Sequence, residues 1–181
     1  MLKLTWFAAL LLLLLAGCAG SRPAGPAATT VYVVRHAEKD LTPGLADPPL
    51  TPAGELRAQA LREQLRPRHV AAIFTTDTRR TRATAAPLAA ARNLTPLVYD
   101  AKNQAALAAR IRTEYAGKTV VVVGHSNTIL ETTEALGAVR PAAAVADAEY
   151  DYLLEVQLPA AGAPTARARR YGAAAAGPAG R

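Results

Sequence analysis

Four valines in a row, Val120-Val121-Val122-Val123, constrain this 181-residue chain more than any other feature. A strand with one wet face alternates apolar and polar residues. A run without alternation is covered on both faces, which calls for helices above and below a parallel sheet. The flanking pattern supplies those helices. Strands are expected over residues 31–34, 70–75, 96–99 and 119–123, and helices over 52–65, 79–92, 104–115 and 128–136. Thr51-Pro52 reads as an N-cap followed by a first-turn proline, with Glu55 near the positive helix end. Gly117 and Gly137 follow the last periodic residues of two helices, as C-terminal stops do. Residues 152–158 and 165–171, joined by an Ala/Gly/Pro linker, read as a closing antiparallel hairpin. The expected class is α/β: a three-layer, open, mostly parallel sheet with helices on both faces and a C-terminal antiparallel hairpin.

The first 17 residues stand apart from that domain. Lys3 precedes an apolar stretch over residues 4–16 that contains six consecutive leucines, Leu10 to Leu15. As a helix it would reach roughly 20 Å, short of the roughly 30 Å hydrocarbon core of a bilayer. Its length suits a secretory signal instead. The segment Leu15-Ala16-Gly17-Cys18 resembles a bacterial lipobox, whose cysteine is lipidated and becomes the mature N-terminus. The expected organisation is a lipoprotein signal peptide over 1–17, a flexible tether over 18–29, a domain over 30–172 and a disordered tail over 173–181. Acyl chains on Cys18 would hold the domain on a membrane of the bacterial cell envelope, at the periplasmic face or the outer membrane. Cys18 is also the only cysteine, which excludes an intramolecular disulfide and any Cys-based metal site.

Two strand ends share one form. Val31-Tyr32-Val33-Val34-Arg35-His36 and Val120-Val121-Val122-Val123-Gly124-His125 each place a histidine two residues past four strand residues. In an open parallel sheet, ligands bind beyond the carboxyl ends of the strands. A third strand, 70–75, runs into Asp77-Thr78-Arg79-Arg80-Thr81-Arg82. Two imidazoles and several guanidinium groups therefore converge on one edge. Guanidinium groups hold phosphate oxygens bidentately, and a neutral imidazole among them can attack phosphorus and carry it covalently. Such an edge suits phosphoryl transfer.

Four motifs in order then carry a resemblance to the histidine phosphatase superfamily, the phosphoglycerate-mutase-like fold. Arg35-His36-Ala37-Glu38 resembles its RHG/RHA signature, and Leu50-Thr51-Pro52-Ala53-Gly54 its L-T-x-x-G helix start. The run from Thr75 to Ala85 is similar to its S-S-x-x-x-R-x-x-Q-T-A segment, with Ala83 in place of Gln, and Val123-Gly124-His125-Ser126 to the strand bearing its second histidine. The resemblance implies that His36 is the nucleophile. Arg35 and Arg80 would bind the phosphoryl oxygens, with a cationic His125 as a further phosphate contact. Thr84-Ala85 sets the register that selects Arg80; Arg79 and Arg82 are then surface charges, and His69 a solvated loop residue. Ser126 stands where the acid-phosphatase branch has Asp. Asp100, after the strand over 96–99, is the positional candidate for the leaving-group acid. Small phosphohistidine-phosphatase-type members lack an obvious acid, because a phosphoramidate leaves more easily than an alkoxide. Short loops leave no large cap for a specific pocket.

The expected activity is hydrolysis of phosphate monoesters or phosphoramidates through phospho-His36, with no cofactor and no metal. The partners would be a phosphorylated small molecule or a phosphoprotein, with the membrane engaged through Cys18. A zinc site from His36, His125 and Glu38 is opposed by the nearby positive groups. A serine esterase on Ser126 lacks any later histidine. The net charge of +7 is spread through helices and tail with only 5% aromatics, which disfavours nucleic acid. The rival from another class is a non-catalytic module binding phosphorylated ligands in the same Arg/His pocket.

Overall fold

The computed structural model describes residues 27–174. The signal segment, Cys18 and most of the tether lie outside the described residues, as do residues 175–181 of the tail. The elements run β1 Thr29–Arg35, α1 Pro52–Gln64, β2 Val70–Thr75, α2 Arg79–Arg92, β3 Leu97–Val98, α3 Gln104–Glu114, β4 Thr119–Gly124, α4 Ile129–Ala135, β5 Tyr152–Leu158 and β6 Thr165–Arg170. They form one six-stranded sheet in the order β3-β2-β4-β1-β5-β6. β1, β2, β3 and β4 are mutually parallel, and β5 and β6 add an antiparallel hairpin beside β1. The four-valine run of β4 lies between β1 and β2 and is fully buried.

Side-chain alternation divides the core in two. Val31, Val33, Phe74, Val120 and Val122 pack with Leu107 and Ile111 of α3 and Ile129 of α4. Tyr32, Val34, Ile73, Val121 and Val123 pack with Leu61 of α1 and Leu88 of α2. Each face of the sheet thus has its own helix pair, as the unalternating strands require. The caps follow the sequence: Thr51 Oγ1 accepts from Gly54 N at 3.2 Å, and Gly117 and Gly137 take positive φ of 71° and 79°.

Several features differ from the sequence reading. β1 begins at Thr29, one residue inside the expected tether, because Thr29 pairs with Leu158 and its hydroxyl accepts from Gly117 N. At the other end, Ala173 is held rather than frayed: its carbonyl accepts from Arg57 at 3.0 Å. The expectation of short, uncapping loops also fails. Residues 36–51 and 136–151 are long irregular segments that supply walls above the strand ends.

Candidate active site

The carboxyl ends of β1, β2 and β4 deliver their side chains to one cavity of about 510 Å³. Arg35, His36, Arg80 and His125 all line it, together with Lys39, Leu41, Ser126, Asn127, Asp147 and Tyr150. The two histidines meet because β1 and β4 are adjacent and in register, Arg35 opposite Gly124. A backbone bond from His36 N to Gly124 O at 2.9 Å fixes the pair, and the rings lie 5.4 Å apart, edge to face.

His36 is 4% exposed, and its Nδ1 lies 2.8 Å from the carbonyl oxygen of Ala37. A carbonyl only accepts, so Nδ1 carries the proton and Nε2 keeps the lone pair. Burial holds the His36 pKa down to about 3; Arg35, Arg80 and His125 push the same way, against the Ala37 bond. The ring is neutral near pH 7. Thr84 anchors the loop beneath it: its hydroxyl accepts from Ala37 N at 2.9 Å and donates to Arg80 O at 2.7 Å. One threonine thereby couples the His36 turn to the helix that bears Arg80. A Cβ at Gly54 would collide with the carbonyl oxygen of Glu38, which explains the glycine at the start of α1.

His125 is half-buried, and its Nε2 lies 2.9 Å from Thr76 Oγ1. Burial, then Arg80, Arg35 and Lys39, lower its pKa to about 4. The expected cationic His125 is therefore corrected: in a pocket already rich in positive charge, the ring is neutral near pH 7. A phosphate brought against it would supply the opposite charge that favours protonation.

The two arginines have unfinished hydrogen bonding. Arg35 Nη1 donates to the carbonyls of Ala146, Asp147 and Glu149 at 3.0, 2.9 and 3.1 Å, and its guanidinium sits 4.0 Å over the Tyr150 ring. Arg80 Nη1 is 3.4 Å from Asp47, whose carboxylate also accepts from Arg79 N. The Nε atoms of both Arg35 and Arg80 are buried with no hydrogen-bond partner among the described residues. Buried charged donors left unpaired are costly and mark a place for an anion.

Other sequence candidates fall elsewhere. Arg79 and Arg82 are exposed, Arg82 pairing with Asp77, and His69 is solvent-exposed. Asp100 does not line the cavity: it is exposed, and its Oδ1 accepts from Lys102 N at 2.9 Å in a local turn. Asp147, Tyr150, Lys39 and Asp47 carry no signal in the sequence. Thr76 and Thr84 lie in the run from Thr75 to Ala85, where Thr84 marks the register but neither hydroxyl announces its hydrogen bonds. Among the described residues no group of three or more His, Cys, Asp or Glu is placed to hold a metal ion, and no helix is long and apolar enough to cross a membrane.

The family model of the histidine phosphatase superfamily (branch 1) matches residues 31–103, which include Arg35, His36 and Arg80. Solved structures share the fold at low identity. Mycobacterial glucosyl-3-phosphoglycerate phosphatase is 17% identical over 72% of this chain and 90% of its own, with a TM-score of 0.59. A phosphoserine phosphatase of Entamoeba histolytica is 14% identical over 76% and 94%, at 0.56. SixA of Agrobacterium tumefaciens is 22% identical over 80% and 97%, also at 0.56. No curated protein matches the chain. The family model thus matches the segment that carries Arg35, His36 and Arg80, and the solved structures share the six-stranded fold.

Proposed function

We propose that the protein is a phosphatase that hydrolyses phosphate monoesters or phosphoramidates through a phosphohistidine on His36. The observation that carries this reading is the 2.8 Å bond from Nδ1 to the Ala37 carbonyl. It leaves a neutral Nε2 as nucleophile in a cavity where two guanidinium groups each carry a buried Nε, unpartnered among the described residues, that suits an anion. Nε2 attacks phosphorus, and the bond from phosphorus to the leaving oxygen or nitrogen breaks. Arg35, Arg80 and His125 hold the phosphoryl oxygens as charge shifts among them. The leaving group takes a proton, for which Asp147 is the carboxyl group on the cavity wall. Water then attacks phosphorus, the P–N bond breaks, and orthophosphate and free His36 are regenerated.

A neutral nucleophile among fixed cations needs no metal to offset the charge of the substrate. The lipobox-like segment ending in Cys18 supports a second part of the reading, that the enzyme is exported and tethered by lipid to the bacterial envelope. Turnover of 4-nitrophenyl phosphate, with and without a chelator, tests the activity. Wild type should turn over in both conditions, and His36→Ala should lose turnover. Phosphate binding without turnover over a panel of nucleotides, sugar phosphates and phosphoproteins would instead support the binding-module reading. Metabolic labelling with a fatty acid, blocked in Cys18→Ser, tests the tether.

A further inference from the structure

A second depression of about 640 Å³ opens beside the phosphate cavity, lined by Glu38, Leu41, Ala53, Leu56, Arg57, Asp147, Ala148, Tyr150, Ala173 and Ala174. Leu41, Asp147 and Tyr150 line both, so the two spaces are continuous. The character of the second is different. Its only close-set charges cancel each other: Arg57 donates to Glu38 through Nε and Nη2, and through Nη1 to the carbonyls of Tyr171 and Ala173. What the wall offers a ligand is mainly the side chains of Leu41, Ala53, Leu56 and Tyr150. Leu41 and Leu56 are 75% and 73% exposed, among the five large hydrophobic side chains that stand out at the surface of the described residues.

We infer that this groove is the leaving-group subsite and that it takes an apolar organic substituent, so that the substrates are amphipathic phosphates with an alkyl or aryl body. The inference rests on the phosphatase reading for the chemistry at His36, but the groove itself is defined without it. A phosphate seated between Arg35 and Arg80 leaves the rest of its ester facing the shared wall of Leu41 and Tyr150. Beyond that wall, among the described residues, nothing uncommitted and charged meets a polar body except Asp147, whereas an apolar body covers two exposed leucines. Burying each additional methylene there should tighten binding by about fourfold, the equivalent of about 0.8 kcal/mol.

Binding of n-alkyl phosphonates, which cannot be hydrolysed, separates the groove from the chemistry. Methyl-, butyl- and octylphosphonate titrated calorimetrically into the full chain should bind with affinity rising steeply along the series and with an increasingly negative heat-capacity change. Leu56→Asp should flatten the series; the octyl-to-methyl ratio is the readout, so a general loss of affinity cancels. An affinity independent of chain length, or a slope unchanged in Leu56→Asp, would overturn the proposal. A flat series with concentration-dependent mass by light scattering would assign the groove to a second copy of this chain instead. Failure of the phosphatase reading shows separately, as absence of 4-nitrophenyl phosphate turnover.

Discussion

Two arginines, each 4% exposed, show how this protein uses the same group for two ends. Arg57 sits against Glu38 at 2.6 Å and also ties Tyr171 and Ala173 to α1. Burial works against its charge, yet the Glu38 hydrogen bonds and charge raise its pKa. Arg35, in the adjoining phosphate cavity, has carbonyls and a tyrosine face around it but no carboxylate in hydrogen-bond contact among the described residues, and burial lowers its pKa. The first charge is balanced within the fold and is structural. The second has only carbonyls and a tyrosine face in direct contact among the described residues, and under the proposed function that imbalance is what a bound anion satisfies.

Substitution should separate the two. Arg35→Ala should lower kcat/KM for 4-nitrophenyl phosphate by about 10²–10³-fold, the usual loss when a fixed donor to transition-state charge is removed. Its thermal midpoint should fall less than that of Arg57→Met, because it releases three carbonyls that water can take up but leaves no carboxylate stripped of its hydrogen-bonded partner; a drop as large as that of Arg57→Met would break the distinction. Arg57→Met should do the reverse. Leaving Glu38 against a buried apolar side chain should destabilise by about 3 kcal/mol, a fall of about 10 °C in Tm, while the folded fraction keeps most of its activity. Calorimetry beside initial rates reads both.

Asp147→Asn sharpens the picture within the cavity. On alkyl phosphates, whose alkoxide needs a proton, turnover should fall by about 10²-fold, whereas 4-nitrophenyl phosphate should change by less than about threefold. Equal losses on both would remove Asp147 from the proton-donating role.

The smallest effect is on stability against pH. His36 and His125 are held to about 3 and 4 in the fold, against about 6.5 in an unfolded chain. The unfolded state therefore binds more protons as pH falls from about 6.5 towards 4, and stability declines across that window. In His125→Gln the decline between pH 6.5 and 4 should be shallower in denaturant melts. An identical slope would show that His125 is not held neutral.

Much of this could be read from the chain, for reasons that are local. Unalternating valines can only be central strands, and a histidine two residues past such a strand can only be at the sheet's carboxyl edge. Arg35, His36 and His125 were legible on that logic, whereas Arg80 was singled out from three neighbouring arginines only by the resemblance, through the register of Thr84-Ala85. Asp100 misled because a strand end was treated as an address. β3 is a two-residue edge strand beside β2, and the Asp100 carboxylate is taken up by its own turn. Asp147 and Tyr150 were hidden for the opposite reason. They lie in an aperiodic segment whose position is set by Arg35, more than 110 residues away, through three backbone carbonyls that leave no mark in side-chain sequence.

The central claim is that the unbalanced site ends in a covalent bond at one atom. Wild-type protein mixed with radiolabelled acetyl phosphate and quenched in alkali within milliseconds should retain label. That label should be stable to base and released by acid, and it should map to the peptide containing His36. Label that resists acid, that maps elsewhere, or that persists in His36→Ala would contradict it.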